Sequence, residues 1–396
     1  MPAHHRAALA ALAASAFVYV TAETLPVGLL PQISEGLGVT EAQVGLLLTS
    51  YAVVAGVTTI PLTAITMRIP RHQLITGTVA VFVVSQVAAA LAPTFGVLVL
   101  ARLICAVAHG VFWSAIAPVA ARLAPPGLAG RATSMVFLGN SLAIVLGVPL
   151  GTALGQWLGW RTAVGVLAAA GAVCVLLLIR LLPVLPALPQ DRDTSTAARL
   201  RASVTILRSG PVAAVCLITV VLVVGHFAAY TYIAPLVRRD GGLEGVALSA
   251  LLLGYGAAGV LGTWFVGRHV DRRPGPLLTA MLALMAVSLV ALVPVLGVVP
   301  TVLAALLWGG TFTAIPVCLQ AAILRVAPQA RDAASAVYVV AFQIGIGAGA
   351  LIGERLVGTG RLGVLPIVGA ALALASAVMV WRSRVAFPSG AEPAAV

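Results

Sequence analysis

The stretch VYVTAETLPVGLLP, residues 18–31, sets one carboxylate, Glu23, in the middle of an apolar run. A charge is costly to bury in hydrocarbon, so an ionisable group there marks a working position or needs a partner. A second run, ARLICAVAHGVFWSAIAP, carries Arg102 and His109 seven residues apart, two turns along one helix face. Trp113 follows four residues later on that face. A third, GHFAAYTYIAP, carries His226, Tyr230 and Tyr232. A carboxylate and a cation that make and break contact can carry a proton. Histidines among aromatic rings can hold a polar solute. The plain alternatives are a permanent buried ion pair, hydrogen-bonded structural histidines and an interfacial belt of tyrosines.

The elements that must position these groups follow from the bulk composition. The chain has 396 residues, is 61% hydrophobic and 9% charged, and has a mean hydropathy of +1.10. Soluble domains carry about 25% charged residues, so the solvent of this chain is lipid. The net charge of +12 is not gathered into a basic patch, and no nucleic-acid partner is expected. Cys105, Cys174, Cys216 and Cys318 all lie inside apolar runs without paired spacing, as small buried hydrophobes do. The N-terminus imitates a signal peptide, but its apolar run continues past the small residues Ala14-Ser15-Ala16 to Leu30. A first transmembrane helix is the reading adopted. No span carries a nucleophile–base pair or a His/Asp metal cluster, so neither an enzyme nor a metal or cofactor is expected.

Spanning runs are predicted at about 8–30, 43–66, 74–92, 96–121, 132–157, 161–182, 211–236, 248–267, 276–294, 299–324, 334–357 and 363–381. Twelve spans put both termini on one side. Seventeen of the 23 basic residues, all arginine, fall in one set of loops, and Arg161, Arg238, Arg239, Arg355 and Arg361 in the other. That asymmetry puts the termini in the cytoplasm. Residues 183–210, Pro-rich and then charged, are read as a cytoplasmic linker between six-helix bundles at 1–182 and 211–396. The halves echo each other: Arg122-Leu-Ala-Pro125 matches Arg325-Val-Ala-Pro328, and Gly147/Gly151 match Gly349/Gly353. Such repeats mark transporters, with the site between the halves. At 1.5 Å per residue Glu23 lies roughly 11 Å deep and Arg102 roughly 9 Å deep, so the two could pair, with His109 deeper.

Other motifs concern conformation. The loop GTWFVGRHVDRR holds Gly267, Asp271 and Arg272. A small residue lets two helix ends approach, and the acid can then pair with an Arg or a helix N-terminus as a gate. The corresponding first-half loop, TMRIPRHQ, has Met67 where the acid would fall. The fifth span, GNSLAIVLGVPLGTALG, sets Gly139, Gly147, Gly151 and Gly155 on nearly one face with Pro149 between them. This is either a static packing seam or a moving one.

Across nearly its whole length the sequence resembles the major facilitator superfamily, in the twelve-span drug:H+ antiporter group. GVPLG resembles that group's antiporter motif, and GRHVDRR the second copy of its cytoplasmic-loop motif. AETLPVGLLP, AHGVFWS, LGVPLG with Trp160-Arg161, HFAAYTYIAP and IGIGAGALIG resemble bacterial sugar efflux transporters of the arabinose/isopropyl-thiogalactoside type. The resemblance implies an all-α membrane protein with twelve transmembrane helices in two pseudo-two-fold bundles. It implies a monomer in the bacterial inner membrane that exports small sugars against protons by alternating access. The alternative is an exporter of chloramphenicol-like or other hydrophobic compounds. Glu23 and Arg102 are the expected proton-coupling pair. Tyr51, His109, Trp113, Asn140, His226, Tyr230, Gln320 and Gln343 are the expected substrate contacts, because a sugar needs hydrogen-bonding groups on an aromatic wall. Gly267, Asp271, Arg272, Gly147, Pro149 and Gly151 are the expected conformational gate.

Overall fold

Lipid offers no hydrogen bonds, so a spanning segment must satisfy its backbone internally. The computed structural model describes residues 3–187 and 195–390, and the regular elements there are all helices. They run α1 (Ala3–Gly28), α2 (Leu30–Leu37), α3 (Glu41–Thr66), α4 (Arg71–Ala90), α5 (Phe95–Leu123), α6 (Ala129–Leu142), α7 (Val148–Leu158), α8 (Trp160–Leu181) and α9 (Thr196–Thr205). Then follow α10 (Gly210–Tyr230), α11 (Ile233–Gly241), α12 (Gly245–His269), α13 (Pro274–Val290), α14 (Val298–Phe312), α15 (Ile315–Val326), α16 (Arg331–Gly358) and α17 (Leu365–Arg382). Among the described residues, ten helical stretches are long and apolar enough to cross a membrane. The shorter apolar stretches Ser50–Thr66 and Pro274–Val290 fall where the second and ninth spans were predicted.

The helices form two compact units, residues 1–125 with 135–205 and residues 126–134 with 206–396. The two have the same internal plan. In the first, α4 packs on α5 and α8, α3 on α5, and α1 on α8. In the second, α13 packs on α14 and α17, α12 on α14, and α10 on α17. The start of α6 groups with the second unit and the rest of it with the first.

The fifth-span glycines explain how α1 is held. A Cβ on Gly139, Gly147, Gly151 or Gly155 would run into Ala13, Thr21, Leu25 or Leu29 respectively. The residue spacing is the same on both helices, so they run parallel and in step. At Gly139 the obstacle is the Ala13 carbonyl itself, so only glycine permits that approach, while at Gly151 and Gly155 it is the end of a leucine side chain. Between them, Ala143–Gly147 is a π-helical turn. Pro149 has no N–H for the Val145 carbonyl, which gives the widened turn a local cause. The seam crosses from packing into irregular backbone at the middle of the motif.

The repeated Arg-x-Ala-Pro motif also gains a physical reason. Arg122 Nη1 donates to the Pro186 carbonyl at 3.0 Å, and Arg325 Nη1 to the Ala386 carbonyl at 3.1 Å. Arg71 N–H donates to the Leu185 carbonyl, and Gly275 N–H to the Pro388 carbonyl. In each unit the segment after the last long helix is tied back in the same way.

The predicted linker contains a helix, α9. Residues 188–194 lie outside the described residues, but α9 packs on α3 within the first unit. Arg199, 3% exposed, donates to the Ala64 carbonyl at 2.8 Å. The last turn of α3 leaves carbonyls without helical partners, and a guanidinium suits that negative end. Arg199 and Ser203, four apart, form the buried face of α9.

Candidate functional site

In the first unit the decisive residue is Pro26, inside α1. Proline has no N–H, so the Ala22 carbonyl four residues back loses its helical partner. Arg102 on α5 supplies the replacement. Its Nη1 donates to the Ala22 carbonyl at 2.7 Å and its Nη2 to the Glu23 carbonyl at 3.1 Å. The guanidinium also lies over the Tyr51 ring, 4.7 Å from its centroid. In this structure Arg102 meets the backbone of Glu23 and not its carboxylate. Residue depth predicted the encounter but not which atoms would meet.

The Glu23 carboxylate, its side chain 28% exposed, turns towards His109. Nδ1 of His109 is 4.0 Å from Oε2, beyond hydrogen-bonding range. That nitrogen is buried and has no hydrogen-bond partner. Rings enclose the imidazole: Tyr51 at 5.2 Å, Trp113 at 6.0 Å and Tyr19 at 6.0 Å between centroids. Tyr51 in turn contacts Cys105, its Oη 3.7 Å from Sγ, and Gln86 Nε2 lies 3.6 Å from the same sulfur. The structure thus gathers Glu23, Arg102, Tyr51, His109 and Trp113 on α1, α3 and α5. It leaves one half-exposed carboxylate beside one imidazole nitrogen with unused capacity. Tyr19, Gln86 and Cys105 were not anticipated. Tyr19 and Gln86 lie in runs where one polar or aromatic residue among apolar ones looks like ordinary core.

In the second unit His226 sits in an aromatic cluster. Its ring stacks on Phe312 at 3.2 Å and on Tyr230 at 5.0 Å between centroids. Trp308 Nε1 donates to His226 Nδ1 at 3.1 Å. Tyr255 packs against Tyr230 and Trp308. The offset that carries Arg122 onto Arg325 also carries Glu23 onto His226 and His109 onto Phe312. Equivalent positions thus hold an acid beside a histidine in one unit and a histidine stacked on a phenylalanine in the other. That offset was the available signal for Phe312, the counterpart of His109; Trp308, the counterpart of Cys105, had none, and sequence reasoning missed both.

The other expected contacts are dispersed. Gln320 is 1% exposed and donates to Ser335 Oγ at 2.9 Å, so its amide is engaged in the fold. Asn140 and Gln343 are half-buried on α6 and α16 and belong to neither cluster's described contacts.

The loop acid Asp271 lies within the second unit. Its Oδ1 accepts from Gly130 N–H at 2.8 Å and its Oδ2 from Arg131 N–H at 2.9 Å. A carboxylate across the first turn of α6 satisfies two orphan donors at the positive end of that helix. Burial pushes the Asp271 carboxyl above its ordinary range, while the two N–H groups and the charges of Arg325 and Arg131 pull the other way. A Cβ on Gly130 would strike Asp271, and one on Gly267 would strike Ser134. Both glycines are therefore needed for the approach. Arg272 stands exposed outside this clamp. Gly147 and Gly151 belong to the α1 seam, and Pro149 is exposed. Asp271→Asn keeps one acceptor oxygen but loses the charge. The expected result is transport slowed several-fold with substrate affinity within a few-fold of wild type, measured by initial rates and equilibrium binding. Equal loss of binding and rate would put Asp271 in the binding site.

Comparison with known proteins yields three findings. The sequence model described as Major Facilitator Superfamily matches residues 12–350. The chain is similar to "Chloramphenicol efflux pump Rv0191" of Mycobacterium tuberculosis, 41% identical over 357 residues, covering 88% of this chain and 85% of that protein. Among solved structures it is similar to the transporter FucP in its outward conformation, with TM-score 0.77, 18% identity and coverage of 95% and 98% of the two chains. It is also similar to the human organic anion transporter MFSD10, with TM-score 0.76, 14% identity and coverage of 96% and 100%. At these identities the structural likeness concerns the fold alone.

Proposed function

Because the chain belongs to the Major Facilitator Superfamily, we propose that it is a proton-coupled exporter of chloramphenicol-like or other hydrophobic compounds. The observation that carries the coupling is the Glu23 carboxylate, partly exposed and facing His109, while Arg102 is engaged by the α1 backbone. A carboxylate without a fixed ion pair can gain and lose a proton at small structural cost. Arg102 holds the α1 backbone at Glu23, so a change in the carboxylate's charge acts on a helix already tied to α5. His109 offers a second acceptor for the same proton.

The similarity to a chloramphenicol efflux pump favours a hydrophobic substrate. Export of a small sugar is the second reading. It draws on the hydrogen-bonding residues around His109 and on the sequence resemblances, but Gln320 is already committed to Ser335. Twelve crossings with both termini cytoplasmic remain the topology proposed, on the arginine asymmetry. A cysteine placed at Ser195 should react with an impermeant reagent only after cells are opened.

The test of function is transport in proteoliposomes carrying a pH difference. Chloramphenicol should move against its own gradient as protons move down theirs, and isopropyl-thiogalactoside should not. Transport of the sugar analogue alone would establish the second reading. No pH-driven movement of either compound would overturn both.

A further inference from the structure

The cluster around His226 carries more than packing. Trp308 Nε1–H can only donate, so His226 Nδ1, which it meets at 3.1 Å, must be an acceptor. The imidazole in this arrangement is neutral, with its proton on Nε2. Phe312 on one side and Tyr230 on the other hold the ring in plane. His226 is thereby a fixed, uncharged hydrogen-bond donor. A second polar atom lies in the same cluster: the Tyr255 hydroxyl is buried without a hydrogen-bond partner, on a side chain 4% exposed. A buried unpaired hydroxyl is costly to keep unless something engages it.

The three helices that build this cluster bear on the ligand's charge. α10 and α14 contain no Asp, Glu, Lys or Arg, and α12 carries one, Arg268 in its last turn, thirteen residues beyond Tyr255. The other titratable groups in the cluster are the phenols of Tyr230 and Tyr255. A cationic ligand would find no carboxylate here and an anionic one no guanidinium. Tyr230 and Phe227 are half-buried and present ring surface, while Trp308 is wholly enclosed.

We propose that Phe227, Tyr230, Tyr255 and His226, braced by Trp308 and Phe312, form a subsite in the second unit for an uncharged aromatic ligand bearing acceptor oxygens. The ligand's ring packs on Tyr230 and Phe227, and its oxygens take the His226 Nε2 and Tyr255 hydroxyl protons. The first unit then handles the proton through Glu23, and the second selects the ligand. This rests on the exporter reading and adds its substrate class and the residues that choose it.

The test is equilibrium binding by calorimetry to the full-length protein in detergent, with three probes: chloramphenicol, ethidium and isopropyl-thiogalactoside. Wild type should bind chloramphenicol well and ethidium and the thiogalactoside poorly. Tyr255→Phe removes one unpaired hydroxyl without changing shape, and should weaken chloramphenicol binding about tenfold while leaving the melting temperature equal to or above that of wild type. Trp308→Phe frees the His226 lone pair and should weaken it by a similar factor. If Trp308→Phe fails to fold, Tyr255→Phe decides alone. Chloramphenicol binding unchanged in Tyr255→Phe and in any folded Trp308→Phe overturns the subsite and leaves the exporter reading intact. Ethidium binding as tightly as chloramphenicol, and weakened by Tyr255→Phe, overturns the uncharged class. Wild type that neither binds nor carries chloramphenicol overturns the exporter reading together with the subsite.

Discussion

Glu23→Gln will bind substrate and exchange it down a gradient, yet will not accumulate it when a pH difference is imposed. The amide has nearly the shape of the protonated acid but cannot release a proton. With one proton exchanged per solute, one pH unit supplies about 1.4 kcal/mol, enough for about a tenfold accumulation ratio. In the variant that ratio should fall to about one, while counterflow of labelled substrate continues. The contacts of Arg102 leave this prediction clean. Its guanidinium bonds the carbonyls of Ala22 and Glu23, so replacing the carboxylate does not strand a buried cation. Glu23→Ala should lose coupling equally. A Glu23→Gln protein that still accumulates substrate with pH would send the search to another acid. Glu354, exposed on α16, is the next candidate.

Arg102→Met should destabilise the protein much more in the native background than when Pro26 is first replaced by Ala. In the native chain Pro26 leaves the Ala22 carbonyl dependent on Arg102. Removing the guanidinium strands that carbonyl in a low-dielectric interior, at a cost of roughly 1.5–3 kcal/mol for a charge-assisted hydrogen bond. Pro26→Ala restores an N–H at position 26, and α1 can then satisfy Ala22 by itself. Unfolding in detergent of the two single variants and the double variant gives the coupling energy. A value of about 1 kcal/mol or more, with the double variant more stable than the singles predict, is the expected outcome. Additivity within about 0.5 kcal/mol would mean that Arg102 does not serve the carbonyl left by Pro26. Arg102→Lys should rescue only in part, because the flexible ammonium lacks the fixed fork that a planar guanidinium presents to the two carbonyls.

These two residues mark how far the sequence could be read. The meeting of α1 and α5 at one depth was legible, because position along a helix is height at 1.5 Å per residue. Its chemistry was not, since height leaves open which face and which atoms meet. The clue was present in Pro26, three residues after Glu23, and its consequence needed only the rule that proline orphans a carbonyl four residues back. The Asp271 clamp was legible as a class, an acid for a helix N-terminus. That the helix would be α6, met at Gly130 and Arg131, was not. The helix α9 inside the linker was not read, because composition reports what a segment lacks in apolar surface. It does not report a single arginine placed to cap α3.

The sequence by itself determined the solvent, the helices and the repeat. A chain that is 61% hydrophobic has to lie in lipid, and lipid allows its backbone no partner but itself. The duplicated arginines then announced two units built alike. Only the tertiary structure decided the partners. Arg102 bonds a carbonyl and not a carboxylate, His226 Nδ1 accepts from a tryptophan that periodicity did not single out, and Gln320 donates to Ser335. The physical reason is that hydrophobic patterning is a property of one helix. A hydrogen bond between spans depends on the rotation and separation of two, which small residues such as Gly139 and Gly147 set by how closely they let the backbones approach.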